Sequence, residues 1–458
     1  MKKTFIFLSK RCSLFILCVF CLSMNAQTIS EELMSALRDS YQETAEQRAL
    51  RNAASGNDLR KLALNQDNLQ AFETEFTLRV PNKGITDQKQ SGRCWMFTGL
   101  NVLRAAAISE HNLDKLEFSE AYLFFYDQLE KANLFLQSVI DTRKLPLDDK
   151  KVEFLFKNPI GDGGTFTGVA DLVNKYGLVP AEVMPETFTT NSTSRFRGLI
   201  SMKLREQGIT LRESKATDKQ LVSMKEDMLK TIYRMLVTVM GVPPQEFMWK
   251  GETYTPASFA DKYVRKELVS DYVMLMNDPT REYYKVYEID LDRHIYEGQN
   301  WLYLNLPIEE IQKMAIASLR DSVAMYFSCD VGKELNSDRG LLDLRNYDYG
   351  AIFGTEFTMD KRQRIQTYAS GSSHAMTLVA VNLQDTVNYT MPDRWMVENS
   401  WGEKSGWKGH LIMTDEWFRE YMFRLVVLKK YVPQNLQDIL RQKPVRLPVW
   451  DPMFMPEE

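Results

Sequence analysis

Polar and apolar positions alternate in three different ways along this chain. Residues 28–70 are mostly polar ("ISEELMSALRDSYQETAEQRALR"), and their pattern predicts helix with a break at Ser55-Gly56-Asn57-Asp58. The stretch "FETEFTLRVPNKGITDQ" reads as extended chain that turns at Pro81-Asn82-Lys83-Gly84. A helix is predicted from Cys94, where Trp95, Phe97, Leu100, Val102, Leu103 and Ala106 include spacings of the 3.6-residue type; Ser91 is a candidate cap just before it. "NPIGDGGTFTGVADLVNKYGLVPAEVMPE" reads as a Gly-rich loop, a helix, and a turn at Gly177 and Pro180. Residues 190–345 mix charged and apolar positions in a helical manner, as in "DKQLVSMKEDMLKTIYRMLVTVM", and the stretch is expected to be largely helical. The end of the chain changes period. "HAMTLVAVNL", "RWMVENSWG", "GHLIMTDEWF" and "FRLVVLKKYV" look like short strands, with turns at Asp393 and across Gly402-Glu403-Lys404-Ser405-Gly406. A helical first half and a stranded end make an α+β fold the expectation.

The first 26 residues are of another kind. Lys2, Lys3, Lys10 and Arg11 precede an apolar run from Cys12 to Met24, and small residues surround a cut site after Ala26. This is the pattern of a secretory signal peptide, and the run is short for a membrane span. The expectation is export, to the periplasm or the extracellular space if the source is bacterial, with no stable membrane association after cleavage. Removing residues 1–26 takes four basic residues and no acidic one, which changes the formal charge from −4 to −8, with 53 Lys+Arg against 61 Asp+Glu. Such a charge supplies no global attraction to nucleic acid, so no nucleic-acid partner is expected. Three of the five cysteines leave with the signal, and only Cys94 and Cys329 remain. Two cysteines do not make a disulfide scaffold. Four histidines, no HExxH and no paired CxxC give a metal site little to draw on, so no metal and no cofactor are expected. The remaining length, 44% hydrophobic and 26% charged, allows one large core with insertions or two to three domains.

Cys94 in "SGRCWMF" can be read two ways. A lone cysteine at the start of an apolar helix is most often a small core residue. It is also where a helix N-terminus would lower a thiol pKa, which nucleophilic attack on a carbonyl requires. A catalytic thiolate needs an imidazole. His111 lies in polar "SEHNLDK", His294 in charged "DLDRHIYEG" and His410 in "GWKGHLIM"; His374 alone stands between flexible "ASGSS" and an apolar strand. That context suits an imidazole at the lip of a sheet, and equally a structural histidine. Asn399 in "VENSWG" can orient an imidazole by accepting its second N–H, with Trp401 as a shield, or can be a turn former. Gln88 and the Cys94 backbone N–H can serve an oxyanion. Each residue is weak evidence alone; the set fits one mechanism.

Those residues resemble the papain-like cysteine peptidases, and within them the bleomycin hydrolase / aminopeptidase C branch. "DQKQSGRCWMF", "DGGTFTGVADLVNKYGLVP", "CDVGK", "SHAMTLVAV", "VENSWG", "MTDEWF" and "LPVWDPM" carry the resemblance, which runs from about residue 60 to the C-terminus. It implies a papain-like core, with a helical part and a β-barrel-like part, spanning 27–458. A large, mainly helical insertion at about 190–345 would form a helical and hook subdomain, and an arm at about 447–458 would lie in the cleft. It implies Cys94 as nucleophile, His374 as general base and then acid, Asn399 as orienter and Gln88 as oxyanion donor. Gly163 and Gly164 would be a backbone edge for extended substrate, and the carboxylates of Glu458 would meet the substrate's α-ammonium. The substrates implied are peptides with a free N-terminus, and the assembly implied is a homohexamer. Two departures stand inside the motifs. Ser91 occupies the first cysteine position of the general C-G-[SA]-C-[WY] signature, and 280 residues separate Cys94 from His374, about twice the papain-type spacing of roughly 130–150. The tail "FMPEE" also departs from the branch's small apolar ending. Cys329 in "YFSCDVGK" reads as a buried structural thiol. Besides a cysteine aminopeptidase working through an acyl-enzyme, two readings compete: an amidase or endopeptidase of the same fold, and a catalytically silent binding protein. Substrates with blocked and free amines separate the first from the aminopeptidase; titration of the thiol separates the second.

Overall fold

The computed structural model describes residues 28–69, 73–81, 84–264 and 267–451. The chain forms two compact units, Met1–Leu64 with Asp348–Glu356, and Asn65–Tyr347 with Phe357–Glu458. The described part of the first is helical: Glu31–Asp39, Ala45–Gly56, Leu59–Ala63 and Tyr349–Phe353. Its helix starts follow from local chemistry. Ser30 accepts from Leu33 N, and Thr44 with Gln47 forms a reciprocal capping box. The signal-peptide reading of residues 1–26 falls outside the described residues.

The second unit holds the candidate chemistry. Its helices are α1 (Cys94–Glu110), α2 (Glu120–Thr142), α3 (Phe166–Tyr176), α4 (Ser194–Glu213), α5 (Asp218–Met240), α6 (Ile308–Arg320) and α7 (Asp415–Tyr421), together with shorter turns. Its main strands are β1 (Leu78–Arg79), β2 (Tyr272–Met276), β3 (Lys285–Ile289), β4 (Leu302–Asn305), β5 (Met325–Cys329), β6 (Leu335–Asn336), β7 (Leu341–Leu342), β8 (His374–Asp385), β9 (Thr390–Glu398), β10 (His410–Thr414), β11 (Met422–Leu428) and β12 (Val445–Leu447). They form one mixed twelve-stranded sheet in the order β12-β3-β4-β2-β11-β5-β8-β9-β10-β7-β6, with β1 paired to β8.

Two apolar clusters build this unit. One gathers α1 to α5 around residues such as Trp95, Phe124, Leu136 and Leu204; the other fills the sheet around Phe327, Met376, Trp395 and Leu425. Helix α1 joins them, because it packs on α3 and also on β8 and β5. Gly99 permits the close approach to α3: a Cβ there would stand 2.7 Å from Val169 Cγ2. Helix α2 starts where Ser119 caps it, and α5 ends at Gly241 with φ +85°.

Helix α1 begins at Cys94 as the apolar spacing predicts. The expectation of a largely helical 190–345 holds only in part. Helices α4, α5 and α6 lie there, but β2 to β5 are strands of the main sheet. Each is a run of four or five mostly buried residues, such as "YVMLM" and "MYFSC". Runs so short and uniformly apolar carry no period that separates strand from helix. Asp393 is no turn either. It lies inside β9, where its carboxylate accepts from Asn382 Nδ2 on β8 (2.9 Å).

Candidate active site

Cys94 is the first residue of α1. Arg93 is the cap residue and supplies no side-chain cap, so the positive end of the helix falls at the thiol-bearing residue. Ser91 is not the cap, because it stands two positions too early. Its hydroxyl donates to Gln88 O (2.7 Å) and accepts from Arg93 Nε (3.1 Å). The loop is held by Arg93, which is fully buried. Its guanidinium meets Glu186 in two-pronged fashion (2.9 and 2.7 Å), donates to Thr190 O (2.7 Å), and sits 5.1 Å from the rings of both Phe97 and Phe124. Neither Cys94 nor Cys329 forms a disulfide, and Cys329 is buried in β5.

His374 opens β8, opposite Cys329 of β5. Its Nε2 donates to Asn399 Oδ1 (2.8 Å), just beyond the end of β9. Asn399 Oδ1 also accepts from Ser400 N (2.8 Å), which fixes that atom as the oxygen and gives the imidazole proton to Nε2. His374 Nδ1 is thereby the basic nitrogen. The Trp401 ring lies 4.8 Å from the imidazole at 31° and covers the pair. Burial pushes the imidazole down to about 4, and the Asn399 hydrogen bond opposes this without overcoming it. Gln88 is buried; its Oε1 accepts from Ser400 Oγ (2.6 Å) and its Nε2 donates to Ser91 O (2.7 Å). One loop hydrogen-bond system therefore links the Gln88 segment to the Asn399 segment.

Cys94, His374, Gly163 and Gly164 line one cavity of about 500 Å³, which Trp95 and Val449 also line. Asn399 and Gln88 are buried outside its lining. The two glycines differ. A Cβ at Gly163 would meet nothing within 4 Å, but one at Gly164 would stand 2.3 Å from His294 Cε1 and 2.7 Å from Trp95 Cε2. Glycine at 164 is thus required by packing alone, whatever approaches from the cavity. Glu458 lies outside the described residues.

The sequence reading missed a second set of residues. His294 lies in the charged stretch "DLDRHIYEG" but is not exposed. It is buried, its Nδ1 is 2.5 Å from Asp127 Oδ1, and its ring meets Trp95 edge-on at 4.7 Å. Asp127 also pairs with Lys131 (2.9 Å), whose Nζ donates to Gly161 O (3.0 Å) and Gly163 O (2.7 Å). Burial pushes the Asp127 carboxyl up, yet Lys131 and His294 together hold it below its ordinary value. Arg104 on α1 was missed as well. It donates to Glu398 (2.9 Å) on β9, directly before Asn399, with both side chains 5% exposed. The i,i+4 pair of Asp127 and Lys131 is readable on a helix. The pairs spanning 167 and 294 residues leave no local signal. Among the described residues, no group of three or more His, Cys, Asp or Glu could hold a metal ion, and no helix is long and apolar enough to cross a membrane.

Comparison with known proteins gives the site its context. The Peptidase C1-like family profile matches residues 28–454. The chain is 38% identical to mouse (Mus musculus) bleomycin hydrolase, covering 94% of this chain and 99% of that protein. It is 34% identical to aminopeptidase C of Lactobacillus delbrueckii subsp. lactis, covering 88% of this chain and 92% of that protein. The crystal structure of PepW from Lactobacillus rhamnosis HN001 superposes with a TM-score of 0.88 at 35% identity, covering 93% of this chain and 99% of that one.

Proposed function

The chain belongs to the Peptidase C1-like family, and from that premise we propose that it is a cysteine aminopeptidase that removes N-terminal residues from peptides through Cys94, His374 and Asn399. The single observation that carries the reading is the shared cavity: a thiol at a helix N-terminus and an imidazole oriented by a buried asparagine line the same 500 Å³. The relatives' names, bleomycin hydrolase and aminopeptidase C, point to the same chemistry.

In this proposal His374 Nδ1 takes the proton from Cys94 Sγ, and the thiolate attacks the scissile carbonyl carbon. The oxyanion meets the Cys94 backbone N–H and the second Nε2 proton of Gln88, the first being given to Ser91 O. His374 then returns its proton to the leaving amine as the C–N bond breaks and a thioester forms. Water, deprotonated by Nδ1, attacks the thioester carbonyl; the C–S bond breaks, the acid leaves, and Cys94 Sγ regains the proton from His374. Asn399 holds the ring throughout, so Nδ1 stays aimed at the reacting atoms. Gly163 is the open backbone edge for the peptide.

Restriction to the N-terminal residue belongs to the same proposal. Val449 lines the cavity, and the residues that follow it end in Glu457 and Glu458, whose carboxylates suit an α-ammonium. Export and assembly as a hexamer complete the reading. Cys94→Ala should lower hydrolysis of aminoacyl-fluorogenic substrates by roughly 10⁴-fold or more with the fold retained; activity close to wild type in that variant would sink the mechanism. Removing residues 452–458 should open cleavage of N-blocked peptides, seen by mapping products. An unchanged product map would remove the tail from the proposal and leave the peptidase.

A further inference from the structure

The cavity wall carries more positive charge than the chain as a whole. The chain is net negative, yet five basic side chains and only two carboxylates, Asp162 and Asp292, line the cavity. Three of the five are matched: Lys131 by Asp127 (2.9 Å), Lys157 by Glu153 (2.6 Å), and Arg197 more loosely by Asp162 (3.8 Å). Arg293 and Arg424 have no carboxylate within ion-pair distance among the described residues. Arg293 is instead engaged by Asn300 Oδ1 (3.3 Å).

Arg424 is the distinctive one. Its guanidinium carbon lies 4.1 Å from the centroid of the Trp301 ring, and Trp301 is itself buried. Its Nε is buried with no hydrogen-bond partner. A β-bulge between Met422 and Arg424 in β11 breaks the alternation of the strand just before this residue. Register then sets its place: Arg424 pairs with Ser328 of β5, and Ser328 pairs with Ala375 of β8, next to His374. Two strand spacings put Arg424 roughly 10 Å across the sheet from the Ala375 column, and Ser328 and Ala375 line the same cavity. Asp292 also lines the cavity; it is not within ion-pair distance of Arg424, although the Arg424 charge reaches its carboxyl and opposes the upward push of burial.

A guanidinium stacked on an indole keeps its planar fork in one orientation, with N–H donors that fit a carboxylate. We infer that Arg424 is a specificity-determining residue that receives an acidic side chain of the peptide substrate inside the active-site cavity. The inference rests on the peptidase reading above and names a substrate class for it: peptides with Asp or Glu close to the scissile bond. The same chemistry can be offered by the chain's own Glu457 and Glu458, so the test separates the two sources.

The test compares kcat/KM on a peptide panel in which Glu, Gln or Ala occupies each position near the cut, for the full chain, for Arg424→Gln, and for Arg424→Lys. The expected result is a preference for Glu over Gln at one position of about ten-fold or more. It should vanish in Arg424→Gln and be partly kept in Arg424→Lys, while the Gln and Ala peptides are cut at wild-type rates by all three. That last reading separates the ideas: if the neutral peptides are cut normally and no position prefers Glu, the inference falls and the peptidase stands. If no peptide is cut by the wild-type chain, the peptidase reading falls first. A preference that appears only after residues 452–458 are removed would assign Arg424 to the tail and overturn the inference. An equal loss on acidic and neutral peptides would make Arg424 a structural residue and overturn it too.

Discussion

Asn399 decides which nitrogen of His374 is basic. Because its Oδ1 accepts from both His374 Nε2 and Ser400 N, Nδ1 is left without a proton, and burial holds the ring neutral down to about pH 4. In the proposed mechanism neutral imidazole accepts the thiol proton, so kcat/KM should stay level as pH falls through 6.5 and drop only as it nears 4. A pH–rate profile with its acid limb at the ordinary histidine value would contradict this. Stability carries the matching signature. The unfolded chain binds a proton at His374 below pH 6.5 and the folded chain only near 4, so the contribution is full above 6.5 and lost on going down to 4, by about 3 kcal/mol. These residues were legible because each motif is local: a flexible Ser-Gly run before a strand, or an Asn next to Trp. His294 was not, since what buries it comes from Asp127 and Trp95, far away in sequence.

Among the elements, the Gly161–Gly164 loop shows what a motif conceals. Sequence offers two adjacent glycines with one apparent purpose; the packing gives them different ones. Gly163→Ala adds a methyl into open space and should leave stability within about 0.5 kcal/mol. Gly164→Ala drives a methyl into His294 and Trp95 and should cost about 1–3 kcal/mol. Urea unfolding of the pair measures the difference, and equal stabilities would refute it. The loop is further fixed by Lys131, which donates to the carbonyls of Gly161 and Gly163. Element type was legible where a helical period had room to repeat, as in α1 and α5, and where an apolar run was long, as in β8. It failed in β2 to β5, where four or five buried residues cannot display one.

Across the second unit, two apolar clusters meet at α1 and β8, and the ion pair of Arg104 with Glu398 ties α1, which begins at Cys94, to the strand that leads into Asn399. Breaking a buried pair strands a charge, so Glu398→Ala should cost about 3–5 kcal/mol and lower kcat/KM, while Arg104→Met with Glu398→Leu should recover most of the stability. If the double variant is no more stable than the single one by chemical denaturation, the pair is not the link. The α+β class could be read from the chain; this link between distant segments could not. The Arg93–Glu186 pair has a consequence of another kind. The loop that presents the thiol is fastened by charge and hydrogen bonds, and among the described residues neither Cys94 nor Cys329 is in a disulfide. Among the described residues reductants therefore have no cross-link to cut, while an oxidant still has a sulfur to attack at Cys94. Mild peroxide should silence the protein without unfolding it, and thiol should revive it. In the proposed mechanism, activity would follow the redox poise of the surroundings while the described scaffold would not depend on it.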